Sequence, residues 1–191
     1  DALPPLVEQQ DLRGVLHCHS HYSDGKATIA EMAEAAIARG WSYLGVTDHS
    51  ESAFYAGGLT REQVLRQHEE IDALNARFDG RFTLLKGIEA DILPCGRVDY
   101  SDHVLDSFDY VIASVHSRFN MTKEAMTRRI VRALQHPRVH VLGHPTGRLI
   151  GKREPYAVDL PEIIKAARDH GVMLEVNAQP DRLDLNDVAI Q

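Results

Sequence analysis

The chain has 191 residues, 43% of them hydrophobic and 26% charged, the balance of an ordinary soluble globular domain with a core of its own. A formal net charge of −7 excludes a protein that coats nucleic acid by charge alone, and apolar runs such as residues 110–115 are far too short to span a bilayer. The two cysteines, Cys18 and Cys95, make no disulfide framework, and no charged leader followed by an apolar stretch opens the chain, so a cytoplasmic location is expected.

Residues 1–10 (DALPPLVEQQ) carry two prolines and no periodicity, and read as a linker or lead-in to a domain over 11–191. Apolar runs follow at 14–16, 43–46, 83–88, 110–115, 139–142 and 172–176, short and rich in β-branched and aromatic residues, as in parallel strands buried on both faces. Helical patterns lie between them. Thr28 with Glu31, and Thr60 with Gln63, form capping boxes ahead of apolar faces, Thr122 caps a third helix stopped by Pro137, and Asp159 with Glu162 opens a fourth that ends at Gly171. Strands recurring once per βα unit wind into an open sheet or close as a barrel. No glycine-rich phosphate loop follows the first strand, so a dinucleotide fold finds no support.

Eleven histidines need an explanation, because imidazole packs poorly and is the commonest side-chain metal ligand. His17 and His19 follow strand one, Asp48 and His49 strand two, and Glu89 and Asp91 end strand three, while His116 and His144 end strands four and five. The C-terminal ends of parallel strands open on one face, where active sites sit, so these residues meet at one mouth. In His17-Cys18-His19, alternation turns both imidazoles one way and sends Cys18 into the wall as a buried thiol. Glu89 lies inside an apolar run, where an unpaired carboxylate is costly, and is the candidate bridge between two ions. Asp24, on the loop after strand one, reaches the same mouth. His68, His103, His136, His140 and His170 fall in helices or loops and read as structural, as does His21.

LHCHSHYSDG, VTDHS, GIEADIL, SVHS and LGHP resemble the successive motifs of the polymerase and histidinol phosphatase (PHP) family. LGHPTGRLIGKREPY, AGGL at 56–59 and NAQPDRLDL narrow the resemblance to the C-terminal PHP domain of bacterial family X DNA polymerases. The resemblance implies a distorted (βα)7 TIM-like barrel holding two to three divalent ions, manganese or zinc. By motif, His17, His19 and Glu89 would hold one, Glu89, His116 and His144 a second, and Asp24 with His49 would contribute to a third. It also implies a manganese-dependent phosphodiesterase, a 3′–5′ exonuclease acting on DNA 3′ ends or abasic sites in DNA repair, with a polymerase domain in the same parent chain and no membrane partner. The family's final motif, an Asp-X-His on strand seven, has no counterpart here, so six strands and an incomplete cage are expected, with strands one and six as open edges.

The chemistry expected is metal-assisted hydrolysis of a phosphate ester, with no side-chain nucleophile. Glu89 is its centre, Arg118 and Arg148 are placed just past His116 and His144 to bind substrate phosphates, and Asp48 and Asp91 orient ligands from behind. Arg128, Arg129, Arg132, Arg138, Arg148, Lys152 and Arg153 crowd one stretch and read either as a phosphate-binding surface or as solvated charges. Two rival readings stand beside the exonuclease: a small-molecule phosphatase of the histidinol-phosphatase type, and an inactive docking or structural module.

Overall fold

Runs of Val, Ile, Leu and Ala between well-capped helices assemble into an α/β fold with six parallel strands. The computed structural model describes residues 5–191; of the expected lead-in, residues 1–4 lie outside the described residues and Gln9–Asp11 make one 3₁₀ turn. The elements are β1 (Gly14–Val15), α1 (Ile29–Ala38), β2 (Tyr43–Val46), α2 (Arg61–Phe78), β3 (Thr83–Asp91), α3 (Asp102–Leu105), β4 (Tyr110–Ser114), α4 (Lys123–Leu134), β5 (Val141–Leu142), α5 (Leu160–His170), β6 (Met173–Leu174) and α6 (Asp187–Ile190). The strands pair in sequence order from β1 to β6, and every pairing is parallel. Among the described residues there is no seventh strand, and β1 and β6 remain open edges.

The helix starts follow the caps. Thr28 and Thr60 accept from the backbone N–H of Glu31 and Gln63, whose side chains accept in return, and Thr122 and Asp159 cap α4 and α5. Gly171 closes α5 in the left-handed conformation that a Cβ disfavours. Ile130, Ala133, Ile163 and Ala167 of α4 and α5 pack onto the outer face of β3–β5. Ile29 and Ala33 of α1 and Ile71 and Leu74 of α2 cover Leu44, Val46 and Leu84. Burying each large aliphatic side chain contributes about 1.5–3 kcal/mol, which fixes the helices against the sheet.

The two faces of β3 and β4 alternate with period two. Ile88, Ala90, Val111 and Ala113 face the helices, while Leu85, Tyr110 and Ile112 belong to the inner face of the curl. Glu89 pairs with Ile112 and Asp91 with Ser114, so both carboxylates lie on the concave side. Strand β3 runs three residues further than its apolar run predicts, because backbone groups of Asp48 and Ser50 bond Glu89 on the other edge. The runs at 139–142 and 172–176 shorten to two-residue strands. Between the open edges lies a cleft of about 590 Å³ lined by Leu16, Ile112, Val141 and Leu174. No helix among the described residues is long and apolar enough to cross a membrane.

Candidate metal centre

Glu89, 1% exposed at the end of β3, is the hub. Its Oε1 lies 3.2 Å from His17 Nε2, 3.2 Å from His116 Nε2 and 2.9 Å from His144 Nε2. Its Oε2 lies 3.2 Å from His49 Nδ1 and 3.5 Å from His19 Nε2. Asp24, whose side chain is 50% exposed, stands 3.6 Å from both His19 Nδ1 and His49 Nε2. All seven expected ligands therefore meet at one mouth.

Their grouping overlaps the one the resemblance implies, with His19 and His49 joining further sets. Three sets of donor atoms, each within 4.8 Å of one another, are His17–His19–Glu89, His19–Asp24–His49 and His49–Glu89–His116. His49 stands beside His116, while His144 reaches the cluster through the hub. A zinc-sized ion with ligands at about 2.1 Å holds them roughly 3–4 Å apart, so each set is of fitting size. Nδ1 of His19 and Nδ1 of His144 are buried without a hydrogen-bond partner. The sets share Glu89, His19 and His49, whose oxygen and nitrogen donors suit divalent ions, so the residues fit a multinuclear centre.

The supporting residues act from outside this ring. Asp91 Oδ1 takes the other side of His116 at Nδ1, 2.6 Å away. Asp48, in contrast, touches no ligand histidine. It accepts from Ser20 N–H (2.8 Å), Ser23 Oγ and Gln67 Nε2 (2.6 Å), and so pins the loop carrying His19 and Asp24. Cys18 turns into the core beside Leu44 and Val46, and burial pushes its thiol up to about 11, too high for easy ionisation. The residue that sequence reasoning missed is Glu175, just after β6. Its Oε1 lies 2.7 Å from His17 Nδ1, and its Oε2 accepts from the backbone N–H of His144 at 2.5 Å. Its signal was the one that marked Glu89, a carboxylate inside an apolar run.

Electrostatically, the centre without metal is held by protons. Burial disfavours a charged His17, but Glu89 and Glu175 outweigh it and raise it to about 10. Burial likewise opposes charge on His116, and Glu89 with Asp91 raises it to about 9. Burial lowers His49 to about 4 and also lowers His144, leaving both imidazoles neutral. Burial alone would raise Glu89, but His116 and His17 hold it well below the usual carboxylate range.

The centre opens into a cleft of about 370 Å³ whose further walls include Tyr55, Phe119, Arg153, Gln179 and Arg182. Arg118 is exposed and Arg148 faces away from it, donating to the carbonyls of Arg182 and Leu183. The guanidiniums facing the cleft are those of Arg153 and Arg182. Arg153 donates to the Gly147 carbonyl at 2.8 Å and lies over Phe119, its Cζ 4.0 Å from the ring centroid. The two late sequence motifs interlock here: Asp184 accepts from Thr146 N–H and Oγ1, and Ile150 N–H donates to the Asp181 carbonyl at 2.7 Å. The other histidines stay out. His68 packs edge-on against Phe108 at 4.8 Å, with burial lowering it to about 4, and His140 Nδ1 accepts from Val111 N–H.

An open parallel curl with a shared histidine–carboxylate cluster at its C-terminal strand ends defines a class of metal-binding α/β-barrel domains. The chain belongs to the PHP domain family, whose model matches residues 16–179. It is 49% identical over 180 residues to the DNA polymerase/3′-5′ exonuclease PolX of Bacillus subtilis (strain 168), covering 94% of this chain and 31% of that protein. A probable phosphatase of Thermoanaerobacter sp. (strain X514) is 30% identical over 170 residues, 85% of this chain and 64% of that one. A probable phosphatase of Vibrio vulnificus (strain CMCP6) is 31% identical over 168 residues, 83% and 61%. The chain thus spans less than two thirds of each of these relatives.

Proposed function

We propose that this chain is a metal-dependent phosphoesterase acting on DNA 3′ ends or abasic sites, a manganese-dependent 3′–5′ exonuclease in DNA repair. In this reading it is part of a longer cytoplasmic protein that also carries a polymerase domain. The observation that carries it is the meeting, in one cleft, of a ligand cluster centred on Glu89 with two guanidiniums, Arg153 and Arg182. The similarity to a protein named as polymerase and 3′-5′ exonuclease supports the choice of substrate.

Two or three divalent ions held by His17, His19, Asp24, His49, Glu89, His116 and His144 would supply Lewis-acid polarisation of the phosphoryl group and an activated water. The protein does the rest. Arg153 and Arg182 bind the non-bridging oxygens, and the stacking of Arg153 on Phe119 orients its fork before substrate arrives. Arg148 acts through its hold on the Arg182 backbone, while Arg118, exposed beyond His116, meets a phosphate further along a polymeric substrate. Asp91 and Glu175 fix the imidazoles of His116 and His17 in the orientation that presents Nε2 to the centre.

The test is turnover of a 3′-recessed oligonucleotide against histidinol phosphate, each with manganese. Faster release of nucleotides from the oligonucleotide is expected; a preference for histidinol phosphate overturns the reading in favour of a small-molecule phosphatase, and several relatives are named probable phosphatases. Elemental analysis after manganese loading checks the third possibility, since less than one metal per chain would leave only a docking module.

A further inference from the structure

We propose that the turn Phe54–Ala56 is a nucleobase platform, on which Tyr55, flanked by Phe54, stacks the unpaired terminal base of the substrate. This rests on the nucleic-acid reading above and assigns that site its substrate class, an end with a free, unstacked nucleotide.

Tyr55, 71% exposed, stands at the rim of the cleft, and its sequence neighbour Phe54 is 83% exposed. Adjoining exposed apolar side chains beside a site, unlike single scattered ones, mark a surface that takes a partner or ligand. The exposure is built in, because the turn beneath is tightly held. Ala53 and Ala56 are buried, and Gly58 N–H donates to the Ala53 carbonyl. Gly57 adopts φ 68°, and Leu59 bridges to Ser50. At Gly58 a Cβ would lie 1.9 Å from the Ser50 carbonyl oxygen, so only glycine lets the chain pass close enough to lift the two rings outward.

The Tyr55 ring lies 6.3 Å from the ring of His49 and 6.4 Å from that of His116, so it borders the cluster itself. Further along the cleft, Phe119 stacks on Tyr156 at 6.3 Å and 18°, and Arg153 lies over the Phe119 ring. The cleft thus offers an aromatic face and a fixed guanidinium within one span, matching a group that is both π-faced and anionic. A nucleotide has both. Base–aromatic stacking contributes about 1–3 kcal/mol per base and is indifferent to sequence. A base inside a duplex has both faces covered by its neighbours, so a ring at the rim selects a terminal nucleotide that has left the stack.

The experiment uses a single-stranded oligonucleotide whose 3′-terminal 2-aminopurine nucleotide is joined through a linkage with methylene in place of the bridging 3′ oxygen, which removes the scissile bond, with manganese present. Binding to the wild type should quench its fluorescence, Tyr55→Phe should retain the quenching, and the double variant Phe54→Ala/Tyr55→Ala should lose it. In turnover, that double variant should raise KM roughly 5- to 150-fold for an ordinary 3′ end, the equivalent of one lost stack. KM should stay unchanged for an end carrying a base-less tetrahydrofuran residue. Equal loss on both ends overturns the platform, as does absence of quenching by the wild type. Quenching without oligonucleotide hydrolysis overturns the exonuclease reading and leaves the platform standing. Hydrolysis without quenching does the reverse.

Discussion

At Glu89 one carboxylate, itself almost wholly buried, faces five imidazoles at the floor of the cleft. An uncompensated charge buried at such depth costs about 3–5 kcal/mol, so protons or metal ions must always be there with it. Glu89→Gln removes the charge at nearly constant volume, and should abolish manganese binding by elemental analysis together with phosphoesterase activity. Asp91→Asn and Glu175→Gln leave every metal-facing donor in place but replace the charged partner of His116 or His17 by a neutral amide, which holds the ring less firmly and lowers its basicity. Each should weaken manganese binding roughly 10- to 100-fold in a competition titration. His68→Ala, remote from the cluster, should leave metal content unchanged. Strand-end histidines were legible because their positions repeat from unit to unit. The cleft-facing role of Arg153 and Arg182 was not, since it depends on how the loop after β5 folds against the segment after β6, whereas Glu175 carried a readable signal, a carboxylate inside an apolar run. The spacing after His116 and His144 favoured Arg118 and Arg148; Arg148 instead donates to the carbonyls of Arg182 and Leu183, and Arg118 lies exposed at φ 56°.

The helices and strands show the same division. Capping residues act within four positions of themselves, so Thr28, Thr60, Thr122 and Asp159 were readable from sequence and cap α1, α2, α4 and α5. Thr60→Ala should cost about 1 kcal/mol of stability, read as a lower Tm with metal content unaltered. The ends of β3, β5 and β6 were less legible, because a strand extends as far as its neighbours offer partners. The turn carrying Tyr55 depends on contact between Gly58 and Ser50, eight residues apart. Gly58→Ala should therefore displace the turn and reproduce the raised KM of the Phe54→Ala/Tyr55→Ala variant, while Tyr55→Phe keeps the wild-type value.

For the whole molecule, the net charge of −7 understates how locally the charges are matched. The arginine-rich stretch forms no single surface: Arg129 is buried against the carbonyls of Ile92 and Ser117, Arg138 pairs with Asp106, and Arg153 turns into the cleft. Without metal, His17 and His116 titrate near 10 and 9, above the ordinary 6.5. Their contribution to folding is complete below the ordinary value and lost as pH rises through 9 to 10, so the metal-free protein should lose Tm over that interval. A divalent ion taken up by these residues would displace the same protons. Binding should therefore release about two protons per chain near neutrality and tighten as pH rises towards 9, which titration in buffers of different ionisation enthalpy would show.

The bond from Glu175 to His17 joins residues 158 positions apart, the outer ends of a six-stranded curl. Contacts of such span are the slowest to form, since almost the whole chain must be in place before they can be made. On a ribosome that emits the chain from its N-terminus, His17, His19 and Glu89 emerge long before the residue that orients the first of them. The cluster is therefore finished last, and a nascent chain holds its earliest ligands loosely until β6 has docked. Any metal bound before that point would meet a His17 ring that Glu175 does not yet orient.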